Sequence, residues 1–168
     1  TRSEKTYTDE NAVNCWHFSH AKGRHMFRAL IQQAVNNHVL FDYILSDNWF
    51  GSKANMTFIH QTLEKLFIIG IKSNRCVALT KHGADSGQYQ QVNTLEWNDG
   101  DVNTVYLKDM SFPVQLLKKV FTNEDGSTGT LYLVTNDLSI DADRIYEVYQ
   151  KRWRIEGAPQ AHRVMTRG

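Results

Sequence analysis

Two acidic residues that lie far apart in the sequence, Asp47 and Glu156, are the strongest candidates for chemistry. Asp47 ends the apolar run "YILSD" just before a Trp-Phe-Gly turn, and Glu156 closes the segment "DADRIYEVYQKRWRIE". Carboxylates that converge without a balancing base repel each other, and a bound metal usually relieves this. Oxygen ligands suit Mg²⁺ or Mn²⁺. Two such ions about 4 Å apart promote attack on phosphodiesters, although that site normally needs a third carboxylate.

The elements that would position these acids alternate between strands and helices. Apolar residues at helical spacing predict a helix over residues 27–36, and Ser52 is a good N-cap for a second helix. The predicted strands are around residues 13–18, the run "VLFDYIL" that leads to Asp47, and "FIIGIKS". The second helix would place Met56, Ile59, Leu63 and Leu66 along one face. This order predicts an α/β fold with a partly parallel sheet.

A β-rich stretch follows the first half of the chain. Alternating runs such as "TVYLKDM" and "GTLYLVT" are separated by the turn signals "NDGD" and "NEDGSTG". We therefore predict a β-rich insertion over residues 75–137, with a hairpin around Gly126.

The segment that ends on Glu156 has the pattern of a final helix. Asp141 suits the N-cap, and Ile145, Tyr149, Arg152 and Glu156 follow at spacings of four, three and four residues. These four residues therefore share one helix face. An apolar stripe that continues into an arginine and a glutamate is unusual for a purely structural helix.

The segment "YQKRWRIE" resembles the signature of DDE transposases of the bacterial insertion-sequence-four group. That signature is Tyr, two residues, Arg, three residues, Glu, then six residues and Lys, and Tyr149, Arg152 and Glu156 match its first three terms. The segment "YILSDNWFGSKANMTFIH" is similar to the family's region around its second catalytic Asp, here Asp47. The β-rich stretch before the Glu also fits the family.

The resemblance implies a partial RNase-H-like mixed sheet flanked by helices and a function in DNA transposition, with Mg²⁺ or Mn²⁺ as cofactor. Asp47 and Glu156 would be the catalytic metal ligands. Tyr149 and Arg152 would hold DNA, and Trp97 would stack on a flipped base. The expected partners are transposon-end DNA and a second transposase copy, with no membrane and no small-molecule substrate.

The sequence also departs from the family pattern. The family's first catalytic Asp has no match, since Asp9 and Glu10 lie in a polar stretch with no strand before it. Arg163 stands where the Lys is expected, but Gly157 and Pro159 precede it and should end the helix. An RNase-H-like core has three antiparallel strands before its first helix, but residues 19–26 leave almost no room for a further strand. This indicates an internal deletion. We therefore expect an inactive copy.

The resulting organisation has three parts. Residues 1–74 and 138–156 would form an incomplete transposase core, residues 75–137 the insertion, and residues 157–168 a divergent tail. The alternative is a non-enzymatic remnant that binds DNA or a partner protein. In a purely structural interpretation, the side chain of Asp47 would hydrogen-bond to its own backbone in a turn, and Glu156 would be an ordinary acid on the protein surface.

Composition sets broader limits. The net charge of +1 argues against a general polyanion binder. The two cysteines lack CxxC spacing, and no apolar run approaches the ~20 residues that span a bilayer. We therefore expect a cytoplasmic protein. Trp49 and Phe50 are expected in the hydrophobic core.

Overall fold

A mixed β-sheet with helices on both faces is the framework of the molecule. The computed structural model describes residues 4–8, 14–18 and 26–155. The strands are β1 (Glu4–Thr8), β2 (Asn14–Phe18), β3 (Tyr43–Ser46), β4 (Leu66–Ile71), β5 (Cys76–Ala78), β6 (Gln90–Gln91), β7 (Val102–Leu107), β8 (Val114–Thr122) and β9 (Thr128–Thr135). The α-helices are α1 (Phe27–Asn36), α2 (Lys53–Thr57), α3 (Lys81–Asp85) and α4 (Ala142–Ile155). The α/β class predicted from the sequence is confirmed.

The order of the strands joins the predicted core to the predicted insertion. Seven strands follow one another as β1-β2-β3-β4-β9-β8-β7, and β5 and β6 extend this sheet beyond β7. Strands β2, β3 and β4 are parallel, and every other neighbouring pair is antiparallel. Because β9 pairs directly with β4, the insertion strands continue the same sheet.

Each face of the sheet buries its own apolar cluster. Ile44, Phe67 and Ile69 belong to the cluster that α1 and α2 cover, whereas Leu45 and Ile68 belong to the cluster that α4 covers. Successive strand residues point to opposite faces. A strand covered on both sides must therefore be apolar at nearly every position, as β3 and β4 are.

Predictions for the first two helices are confirmed in part. Helix α1 has the predicted bounds, with Phe27 and Ile31 fully buried, and Ser52 caps α2 by accepting a hydrogen bond from the Asn55 amide at 3.2 Å. The extension of the second helix to Leu66 is wrong. Helix α2 passes into a π-helical turn at Phe58–Thr62, and Leu66 pairs with Tyr43 as the first residue of β4. The pairing of Leu66 in the sheet therefore prevails over the helical spacing of the apolar residues before it.

The predicted hairpin around Gly126 joins β8 to β9. The Asn123 amide donates to the Ser127 carbonyl at 2.7 Å, and Gly126 has a φ of 85°. That left-handed backbone is costly for a residue with a side chain, which accounts for the glycine.

Asn136 connects β9 to the start of β4 from a nearly buried position. Its Oδ1 accepts a hydrogen bond from the Phe67 amide at 2.9 Å. Its amide nitrogen donates to the Lys65 carbonyl at 2.9 Å and lies 2.9 Å from Nδ1 of His60. Since the amide nitrogen can only donate, Nδ1 of His60 is the acceptor. The ring of His60 also stacks on Phe112, with centroids 3.9 Å apart.

Asn136→Ala should lower the free energy of unfolding by about 2–4 kcal/mol, because a buried backbone amide and carbonyl lose their partners together. Asn93, whose side chain is exposed, provides the control, and Asn93→Ala should stay within about 0.5 kcal/mol of the parent. Urea unfolding of both variants measures the difference. Equal stabilities would show that the Asn136 bonds contribute nothing net.

His60 should make stability depend on pH in mildly acidic solution. Burial lowers the pKa of His60 from 6.5, so the unfolded chain binds the proton more readily than the folded chain. The contribution of His60 is therefore fully present above about pH 6.5 and is lost as the pH falls towards its folded-state pKa. Urea unfolding at a series of pH values should show a smaller loss in His60→Gln than in the parent. An identical pH dependence would contradict this.

Candidate functional site

Asp47 follows the last residue of β3, at the edge of the sheet where β3 and β4 both end. Its backbone is extended, with φ −80° and ψ −176°, so the strand's alternation continues through it. Asp47 therefore lies on the same face as Leu45, the face that α4 covers. Its Oδ1 accepts a hydrogen bond from the Trp49 amide at 3.0 Å and caps the short 3₁₀ turn Asn48–Phe50. Asp47 therefore does bond to its own turn, as in the structural interpretation, and its carboxylate lies at the edge of the sheet.

Tyr149 brings α4 to the same edge. Its side chain is 1% exposed, and its hydroxyl donates a hydrogen bond to the Ser46 carbonyl at 3.2 Å. Ser46 immediately precedes Asp47, so the helix touches the sheet directly beside the candidate acid. Asp141 caps the start of this helix by accepting from the Arg144 amide at 2.8 Å, as predicted.

The direction of α4 follows from contacts at both ends of β3. Shortly before α4, Asp137 accepts a hydrogen bond from the hydroxyl of Tyr43, the first residue of β3. Burial alone would raise the pKa of Asp137, but hydrogen bonds from Tyr43 and Ser139 outweigh it and lower that pKa. Since Tyr149 then reaches Ser46 at the other end of β3, the helix runs along the strand towards Asp47.

Gly70 on β4 allows this close approach. A Cβ atom there would lie 3.3 Å from the Tyr149 hydroxyl oxygen and 3.4 Å from the Asn48 nitrogen. A Cβ on Gly51 would in turn lie 3.0 Å from the Gly70 carbonyl oxygen. A glycine inside an apolar strand often marks a place where another part of the chain comes close to the backbone. Gly70 in "FIIGIKS" is such a glycine, and the sequence analysis did not use it to predict this contact.

Arg152 lies one helical turn beyond Tyr149. It is 6% exposed, and its guanidinium carbon lies 5.3 Å from the centroid of the Tyr149 ring, within cation–π range. Ile145, Tyr149 and Arg152 all face inward, which confirms the predicted shared face for the described part of the helix. In this structure Tyr149 holds the helix against the sheet and Arg152 packs on the Tyr149 ring, and the contact of both residues with DNA stays a prediction.

Basic residues also lie at this edge. Nη1 of Arg75 donates to the Gly51 carbonyl at 2.5 Å, which connects the turn after β4 to the turn after Asp47. Burial lowers the pKa of Arg75, but a guanidinium keeps its charge near neutral pH. Lys53 and Lys72 are exposed in the same two segments. The sequence reading did not single out these three residues.

Trp49 and Trp97 lie in different surroundings, and Trp49 departs from its prediction. Phe50 is fully buried and stacks on Phe27, as predicted, but Trp49 is 46% exposed, so its assignment to the core is wrong. Trp49 lies in the turn that follows β3, and among the described residues it belongs to neither apolar cluster. Trp97 is partly buried against the main core, and its carbonyl accepts from Lys118 Nζ at 2.7 Å. Trp97 thus lies beside β8, three strands from β3, and its role in DNA binding stays a prediction.

The described residues do not by themselves make a Mg²⁺ or Mn²⁺ site. Within residues 4–8, 14–18 and 26–155 no group of three His, Cys, Asp or Glu side chains is placed to hold a metal. At the Asp47 edge they supply one acid, and these hard cations take about six or more oxygen ligands. Glu156, Asp9 and Glu10 all lie outside the described residues.

Neither a comparison with models of known protein families nor one with curated proteins gave a match to this chain. The helices of the described segments include none that is both long and apolar enough to cross a membrane.

The contact among Tyr149, Ser46 and Gly70 can be tested with a double-mutant cycle. Tyr149→Phe should lower the free energy of unfolding by about 0.5–1.5 kcal/mol through loss of the hydroxyl hydrogen bond. Gly70→Ala should cost about 1–3 kcal/mol because its methyl group meets the hydroxyl and the Asn48 backbone. In the Tyr149→Phe background the cost of Gly70→Ala should fall by at least about 0.5 kcal/mol. Additive costs measured by urea unfolding would contradict the shared contact.

Proposed function

We propose that this chain acts in DNA transposition, as a protein of the DDE transposase type related to the insertion-sequence-four group. The observation that carries the proposal is the Tyr149–Ser46 hydrogen bond, which brings the Tyr-Arg end of α4 to the strand that ends at Asp47. Tyr149 and Arg152 are also two of the residues that match the family signature, and Asp47 lies in the other segment that resembles the family. The partly parallel sheet with helices on both faces is compatible with an RNase-H-like core.

The proposed site assigns separate tasks to the side chains at this edge. Asp47 and Glu156 would be metal ligands, and a divalent ion bound there supplies Lewis acidity for phosphodiester chemistry. Arg75, Lys53 and Lys72 would attract the DNA backbone. Tyr149, buried over Gly70, would keep the end of β3 and the final helix in register.

Asp47 and Glu156 are too few ligands, so the proposal requires a third oxygen donor. Without that donor we expect weak Mg²⁺ binding and DNA binding without cleavage. This is the second candidate function, a non-enzymatic DNA-binding remnant, and it is favoured by the exposed Lys53 and Lys72 at the Asp47 edge, which need no metal to attract DNA. In either form the partners would be transposon-end DNA and a second copy of the chain, in the cytoplasm.

Supercoiled plasmid nicking separates the two candidate functions. An active transposase-type site should nick the plasmid with Mg²⁺ or Mn²⁺, and Asp47→Ala should abolish the nicking. Asp143→Ala is the matched control, because Asp143 is an exposed acid in the first turn of α4, which begins at the opposite sheet edge. Nicking that survives Asp47→Ala would exclude Asp47 as a metal ligand, and retardation of DNA without nicking would favour the remnant.

DNA binding itself should be electrostatic and centred on the Asp47 edge. Affinity for a short duplex should fall steeply between about 50 and 200 mM salt, and replacing Lys53 and Lys72 together with Ala should reduce the log–log salt slope by about 2. Lys81→Ala is the control, since Lys81 is paired with Asp85 on α3. No retardation at low salt would contradict the proposed function in both forms.

A further inference from the structure

The contact between His60 and Asn136 exists in only one protonation state of the histidine. Nδ2 of Asn136 lies 2.9 Å from Nδ1 of His60 and also donates to the Lys65 carbonyl, while Oδ1 accepts from the Phe67 amide. Because the amide nitrogen is a donor only, Nδ1 carries no proton, and the neutral ring has its proton on Nε2. The closed contact therefore requires neutral His60.

Protonation of His60 removes hydrogen bonds in each arrangement open to the two side chains. With a proton on Nδ1, two donors face each other. If the Asn136 amide turns over, its oxygen accepts from the ring. That oxygen then also faces the Lys65 carbonyl, and the amide nitrogen faces the Phe67 amide, so two bonds to the backbone are lost. If the ring turns over instead, a carbon atom replaces Nδ1 as the neighbour of Asn136.

The turn that carries His60 has an unusual backbone. Phe58–Thr62 is the π-helical turn after α2, and the Leu63 and Lys65 amides close it by donating to the Phe58 and Ile59 carbonyls, each at 3.0 Å. Turns of this kind are rare and occur frequently at functional sites. Ile59 is fully buried, so the start of the turn is anchored in the core.

Two further side-chain bonds join this turn to the loop before β8. Nε2 of Gln61 donates to Oγ of Ser111 at 2.7 Å in an exposed position, and Oγ1 of Thr57 lies 3.9 Å from Sδ of Met110. An exposed hydrogen bond competes with water, and a thioether is a weak acceptor. We therefore expect the bond to Asn136, which is only 8% exposed, to hold the turn most firmly.

The charges near His60 do not compensate for a proton on its ring. Burial lowers the pKa of His60. The segments around it carry five ionisable side chains, namely Glu64, Lys65, Lys108, Asp109 and Asp137. Within the described residues His60 forms an ion pair with none of them. Lys65 lies over the Phe41 ring, Asp137 is bonded to Tyr43, and the other three are exposed.

We propose that the His60–Asn136 contact is a pH-sensitive latch, in which protonation of His60 releases residues 60–65 from the end of β9. The opening frees the Phe67 amide from Asn136. It also uncovers Phe112, which is 6% exposed and on which the His60 ring stacks.

This opening is local, whereas the pH dependence of unfolding predicted above concerns the whole fold. The latch lies where β4 begins, and Asp47 lies at the edge where β3 and β4 end. The inference therefore goes beyond the proposed function and does not depend on it.

Hydrogen exchange of single amides, measured by NMR between about pH 7.5 and 5.0 and corrected for the intrinsic exchange rate, tests the latch. The opening constant reported by the Phe67 amide should be level above about pH 7. Below about pH 6.5 it should rise by up to about tenfold per pH unit, because opening takes up one proton. It should hardly change in up to about 1 M urea, since a local opening exposes little surface.

His60→Gln keeps an acceptor for Asn136 but does not titrate, so the opening constant at Phe67 should change less than about twofold over the same pH range. His82→Gln is the matched control, because His82 is exposed on α3, and it should keep the pH dependence of the parent.

Three outcomes would overturn the latch. The first is a Phe67 amide whose exchange in the parent has no such pH dependence. The second is a pH dependence that survives His60→Gln. The third is exchange that increases with urea as steeply as that of the most protected amides, which would mean that the whole chain unfolds. The first and third are measured on the parent, so they decide the question even if His60→Gln does not fold.

Discussion

The hydrogen bond from the Tyr149 hydroxyl to the Ser46 carbonyl fixes how the final helix meets the sheet. It is possible because Gly70 has no side chain between the helix and the strand end, so the hydroxyl and the Asn48 backbone both pack against β4. The arrangement of Asp47, Arg152 and the turn that carries Trp49 depends on this contact. A helix displaced by the width of one methyl group would no longer approach the end of β3 in the same way.

Much of the fold could be predicted where local signals and tertiary contacts agree. Helix α1 and strand β4 follow their apolar patterns, and the β8–β9 hairpin follows its turn residues. The prediction failed beyond the π-helical turn because the spacing of Leu63 and Leu66 fits a helix equally well. Leu66 is in a strand because it pairs with Tyr43 of β3, and a short stretch of sequence does not show which distant strand will pair with it.

The candidate site could be predicted only in its chemical groups. The acid at the end of β3 and the inward face of α4 were evident from residue types and spacing. Their meeting depends on the Tyr149 hydroxyl, which reaches the Ser46 carbonyl across 103 positions of sequence. The exposure of Trp49 was equally hidden, because the neighbouring sequence does not show how the turn after β3 packs. Glu156, which lies outside the described residues, stays a prediction.

The sequence separation of the Tyr149–Ser46 contact also has a kinetic consequence. The two residues are 103 positions apart, and the chain between them includes β4 and β9, which pair within the same sheet. Contacts between such distant residues form slowly, because the chain loses loop-closure entropy before the contact contributes any stabilising energy. We therefore expect the strand end that carries Asp47 to acquire its final shape late in folding, when α4 packs along β3.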